Sequence, residues 1–119
     1  MKASIVIANY NNSNFIEECI NSLTSQTYKN IEIIFFDDNS KDNSIDIIKK
    51  FTFVKVIQNN TQTKYGSLNQ MNAFKKSIHL STGDIIFFLD SDDYFRKDKI
   101  EKIINFFSNN KDKKIVFDF

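Results

Sequence analysis

The sequence predicts an α/β fold: a doubly wound, mainly parallel sheet with helices on both faces. Three observations predict it. Five short runs rich in Ile, Val and Phe recur along the 119 residues, each nearly continuous in apolar character, as strands buried on both faces are. Stretches with a helical period separate these runs. Such strand–helix alternation, joined by right-handed crossovers, leaves few topologies other than parallel neighbours.

The elements follow in order. Residues 3–8 form the first expected strand. Phe15, Ile16, Cys19, Ile20 and Leu23 then fall on one helical face, and Asn14 with Glu17 matches a capping box at the head of that helix. Residues 31–36 give the second strand and 42–50 a weaker helix. Residues 53–57 give the third strand, followed by a polar irregular stretch over 58–66. A helix is expected over 67–80, stopped near Thr82 and Gly83. Residues 84–89 give the fourth strand; Ile100, Ile103, Ile104 and Phe107 mark a last helical face, and 114–117 a fifth strand. With two glycines and no proline, the chain must turn with Asn, Asp and Ser instead.

Composition narrows the function. A hydrophobic share of 41% suits a packed domain and excludes disorder. Sixteen basic against fifteen acidic residues leave a net charge of +1, too little for a field that grips a nucleic-acid backbone or an anionic bilayer. A single cysteine offers neither a disulfide nor a zinc set. The first residues do not read as a signal peptide, and no apolar run approaches the roughly 20 residues that span a bilayer. The expectation is a cytoplasmic chain, at most peripheral to the inner face of the membrane, forming one domain over residues 1–119.

In parallel sheets of this kind ligands bind beyond the carboxyl ends of the strands. Those ends are polar here. Asn9, Tyr10, Asn11, Asn12 and Ser13 follow the first strand, Asp37, Asp38, Asn39 and Ser40 the second, and Asp90, Ser91, Asp92 and Asp93 the fourth. Taken singly, each cluster reads as ordinary turn and cap residues, and Ser40 or Asp42 suits a helix cap. Three clusters on one rim point further. Asp90 and Asp92, two apart, project the same way from an extended segment. Adjacent carboxylates repel unless a cation intervenes, and hard oxygen ligands suit Mg2+ or Mn2+ with positions left for phosphate oxygens.

These stretches resemble the nucleotide-binding half of family 2 glycosyltransferases of the GT-A fold. The matching residues are 4–11 (SIVIANYN), 23–34 (LTSQTYKNIEII), 37–44 (DDNSKDNS) and 82–93 (TGDIIFFLDSDD), in the family's order and near its spacing. The resemblance implies a nucleotide-sugar donor, a UDP-sugar first, a divalent metal (Mn2+ or Mg2+), and inverting sugar transfer to a glycan or lipid-linked acceptor in polysaccharide biosynthesis. Carried over by position, it implies that Ala8, Asn9 and Tyr10 line the base pocket, with the Tyr10 ring on the nucleobase. Asp38 would accept from the uracil N–H. Asp90 and Ser91 would contact the donor, and Asp92, with Asp90, the metal. Asp37 and Asp93 are expected to brace loop amides. Departures stand at 66–77, where Gly66, Gln70, Asn72 and Phe74 resemble a subset with a Gln-x-x-Ala-Phe pattern and Lys75 stands near the usual Asn. Lys64 and His79 are read as solvated surface residues and Cys19 as a buried thiol.

Rival folds fail on position. A receiver domain needs an acidic pair after the first strand, where Asn9 and Tyr10 stand, and a dinucleotide-binding oxidoreductase needs more glycines than the chain has. The family's general base comes from a later, acceptor-binding half, so no catalytic base is assigned within these residues, Asp118 included. The expectation is a donor-binding domain without that half. Its alternative is a non-catalytic nucleotide-binding module or truncated fragment, and apolar surface left bare would favour a homodimer.

Overall fold

The computed structural model describes residues 1–59 and 64–113. Eight elements alternate: β1 (Ala3–Asn9), α1 (Ser13–Thr24), β2 (Ile31–Asp37), α2 (Ser44–Ile48), β3 (Val54–Gln58), α3 (Gly66–Leu80), β4 (Ile85–Asp90) and α4 (Lys99–Asn109). All strand pairings are parallel, in the order β3-β2-β1-β4. The expected strand at 114–117 lies outside the described residues.

Side-chain alternation divides the core between the two faces. Ala3, Ile5 and Ile7 of β1, Ile33 and Phe35 of β2, and Phe87 and Leu89 of β4 pack with Ile16, Cys19, Ile20 and Leu23 of α1, Ile48 of α2, and Ile100 and Ile104 of α4. The opposite face, with buried Val6, Ile34 and Phe36, lies under α3, which contacts β1 and β2 and inserts Ala73. The sequence runs leftward from β1 to β3, then α3 crosses to the far side of β1. The strand order therefore reverses at β1, and a crevice opens between the carboxyl ends of β1 and β4.

Several local expectations shift. The third strand starts at Val54, because Phe53 is 58% exposed at a turn and belongs to no core. The helix expected over 42–50 shortens to Ser44–Ile48. Phe15 is exposed, since its neighbour Ile16 takes the buried face. The capping box of Asn14 and Glu17 does not form: α1 begins at Ser13, and its N-cap Asn12 makes no side-chain cap. Asp42 replaces it. Its Oδ2 accepts from the Ser13 amide and its Oδ1 from the Ser44 amide, so one carboxylate serves the first turns of α1 and α2.

At the amino ends of the strands, Gly83 lies against β1. A Cβ there would stand 2.5 Å from Ser4 Oγ and 2.7 Å from Ser4 N, so only glycine fits, and its amide donates to Ser4 Oγ at 2.9 Å. Asparagine supplies the left-handed turns, at Asn11 (φ 52°) and Asn39 (φ 60°), each just beyond a strand end.

Candidate active site

The loops after β1 and β2 are locked together by one buried polar network. Asn9 Nδ2 donates to Asp37 Oδ1 (2.8 Å) and Ser40 Oγ (3.2 Å); Ser40 donates its amide to Asp37 Oδ2 (2.9 Å), and its hydroxyl oxygen accepts from the Asn11 amide (3.0 Å). Asp37 thus braces its loop, as expected. Asn9 Oδ1 is buried with no hydrogen-bond partner among the described residues. The network fixes the two residues at its rim, Tyr10 and Asp38. Tyr10 is half-exposed, while Asp38 is buried and accepts from Asn59 Nδ2 at 2.9 Å.

A cleft of about 450 Å3 opens over the crevice between β1 and β4, lined by Ala8, Asn9, Tyr10, Asp38, Asp90 and Asp92 together with Asn12, Phe36, Lys64, Gly66, Asn69, Gln70 and Ala73. Six of the seven site residues expected from the sequence therefore line this one cleft. Ser91 is apart from them: it is fully buried, and its hydroxyl accepts from Asn12 Nδ2 at 3.0 Å behind the loop. Ser91 lies in the turn just past the end of β4, which buries its side chain while Asp90 and Asp92 stay exposed. Lys64, read as a solvated residue, lines the cleft; His79 is exposed on α3.

At the mouth, Asp90, Asp92 and Asp93 each bring a carboxylate oxygen within 4.8 Å of the others, all three exposed. Asp93, expected to brace a loop, joins this cluster because its amide donates to the Asp90 carbonyl at 3.0 Å, a turn that folds the side chain back. Partial burial, then the charges of Asp92 and Asp93, push the Asp90 carboxyl above the usual range, against the pull of a hydrogen bond from Gln70. Convergent hard oxygens with mutual repulsion suit a divalent cation of the Mg2+ or Mn2+ kind. Beneath them on α1, Cys19 is buried, and burial followed by the charges of Asp93 and Asp92 pushes its thiol up to about 12. A second cavity of about 480 Å3 adjoins the cleft beside β4, with Phe74, Phe88, Tyr94 and Phe95 in its walls.

The rim thus offers an aromatic face, a buried carboxylate and an acidic cluster along one parallel-sheet crevice. The chain belongs to glycosyl transferase family 2, whose family model matches residues 4–118. It is 40% identical over 108 residues to the UDP-Glc:alpha-D-GlcNAc-diphosphoundecaprenol beta-1,3-glucosyltransferase WfaP of Escherichia coli, covering 91% of this chain and 42% of the relative. It is 37% identical over 116 residues to the poly(ribitol-phosphate) beta-glucosyltransferase of Bacillus spizizenii, covering 92% of this chain and 18% of that one. Among solved structures, S. aureus TarS 1-349 in complex with UDP-GlcNAc superposes with a TM-score of 0.79 at 28% identity, covering 93% of this chain and 32% of that chain. The chain therefore has the GT-A fold, and it spans less than half the length of the curated relatives it matches. Among the described residues no helix is long and apolar enough to cross a membrane.

Proposed function

We propose that the chain is the donor-binding part of a glycosyltransferase that takes a UDP-sugar, holds its diphosphate through Mg2+ or Mn2+, and serves inverting transfer to a glycan or lipid-linked acceptor. The observation that carries this reading is the single cleft with Tyr10 and Asp38 at one end and Asp90 and Asp92 at the other. An aromatic face stacks a nucleobase, and a buried carboxylate accepts from a ring N–H. Asp92 and Asp90 are the ligands we assign to the cation, with Asp93 beside them. The cation would neutralise the charge that develops on the departing diphosphate. Ala8 and Asn9 form the cleft wall on β1, and Ser91 supports the acidic loop from behind through Asn12. The UDP-Glc donor of the E. coli relative and the UDP-GlcNAc complex of TarS support the same donor class. No base is assigned, and we propose that the proton of the acceptor hydroxyl leaves to a group outside these residues.

Calorimetric titration of UDP with and without Mn2+ tests the reading. Binding is expected to tighten at least tenfold with the metal, because the carboxylates otherwise repel the diphosphate. Equal affinity in both conditions would overturn it.

A further inference from the structure

Outside the residues already assigned, a polar side chain touches the acidic cluster: Gln70 of α3 donates from Nε2 to Asp90 Oδ1 at 2.9 Å. A second contact fixes this meeting. Four residues further along α3, Phe74 packs at a tilt against Phe88 with ring centroids 4.7 Å apart, and Phe88 lies two residues before Asp90 on the same side of β4. Helix and strand run in opposite directions here. Four helical residues rise about 6 Å, and two strand residues rise about 6.6 Å, so the aromatic pair and the amide–carboxylate pair lie in register. The Phe74 contact thus delivers Gln70 to Asp90 as a matter of spacing. Gln70 and Asp90 also line both cavities, the cleft and the one beside β4, and stand on the wall between them.

We infer that Gln70 is a positioning residue for the cation site: its amide holds Asp90 in the orientation in which the three carboxylates converge within 4.8 Å. The inference rests on the proposed reading of Asp90 and Asp92 as cation ligands. Three neighbouring carboxylates repel, and each unpinned side chain would swing outward into water. A neutral amide donor opposes that motion without adding a positive charge that would compete with the cation. A lysine or arginine in the same place would hold Asp90 as an ion pair and weaken the site for metal.

The test uses Gln70→Met, which keeps side-chain length and removes the donor, beside Asp92→Ala and the unaltered chain. Gln70 is exposed, so folding is not at stake, and equal thermal midpoints verify this. Mn2+ binding is read by electron paramagnetic resonance and UDP binding by calorimetry with and without Mn2+. Gln70→Met is expected to weaken Mn2+-dependent UDP binding about fivefold, the effect of one hydrogen bond to a charged acceptor at an exposed site. UDP binding without metal is expected to stay unchanged, which loss of mere packing against the nucleotide would not allow. Equal weakening with and without Mn2+ would overturn the role of Gln70. So would unchanged Mn2+ binding in Gln70→Met when Asp92→Ala has lost it, and in that case the cation site stands. Full metal dependence in Asp92→Ala would overturn the cation reading and this inference together.

Discussion

Asn9 and Asp37 are register partners on the last rung between β1 and β2, and the Asn9 amide donates to the Asp37 carboxylate at 2.8 Å. Both residues are 2% exposed. Asp37→Ala would strand one N–H of the Asn9 Nδ2 and the Ser40 amide in a largely buried place, leaving Ser40 Oγ as the remaining acceptor of Asn9. We expect a stability loss of about 3 kcal/mol, since each stranded donor costs on the order of 1–3 kcal/mol. Urea unfolding reads it, and a loss below about 0.5 kcal/mol would mean that the network is replaceable by water.

In the proposed reading, base recognition separates from diphosphate recognition along the cleft. Asp38→Ala is expected to weaken uridine-containing ligands about tenfold while leaving inorganic pyrophosphate with Mn2+ unaffected. Tyr10→Ala should act in the same direction, through a stacking contribution of about 1–3 kcal/mol. Competition binding with UDP and pyrophosphate distinguishes the two ends, and parallel losses for both ligands would count against this division.

Acid stability is expected to depend on Glu32. Partial burial raises its pKa, yet hydrogen bonds from Ser4, the Thr82 amide and hydroxyl, and Lys2 outweigh that and hold it at about 2, below the ordinary 4.5. A depressed folded-state pKa contributes stability that is complete above the unfolded value and is lost as pH falls. The loss should therefore develop between about 4.5 and about 2. Glu32→Gln is expected to flatten the stability curve in that window, and an unchanged acid limb in the variant would refute the assignment.

Cys19 should resist thiol reagents at neutral pH while the chain is folded. Its burial and the nearby Asp93 and Asp92 charges disfavour the thiolate, which is the reactive species. Labelling is expected to appear only with denaturant and to track unfolding. Rapid labelling of the native chain would show that the floor beneath the acidic loop is open.

Much of this was legible in the sequence where the signal is local. The runs at 3–8, 31–36 and 84–89 carry enough continuous apolar character to mark strands, and the polar clusters after them follow from the sheet's geometry. The edge strand was read one residue early because Phe53 looks apolar but sits in solvent. The head of α1 was misread because its acceptor, Asp42, lies in a different loop, beyond the reach of any capping pattern. The carboxylate partners of Gln70, known from sequence only as part of a motif, and of Asn59 were not legible for the same reason: each meets its carboxylate only through tertiary packing. Ser91 was not readable, because it falls in the turn just past β4 and is buried by its contact with Asn12 from another loop.

The position of β1 in the middle of the sheet makes the two ends of the cleft unequal as polymer problems. Ala3 pairs with Ile31 on one side and with Ile85 on the other, so the second closure spans a chain segment about three times longer. By loop entropy alone that seam costs about 1 kcal/mol more to shut. The Tyr10–Asp38 end belongs to a contiguous β–α–β unit whose partners are near in sequence. The acidic end exists only while a distant strand stays docked, so whatever holds β4 against β1 also governs whether its carboxylates face Tyr10 and Asp38.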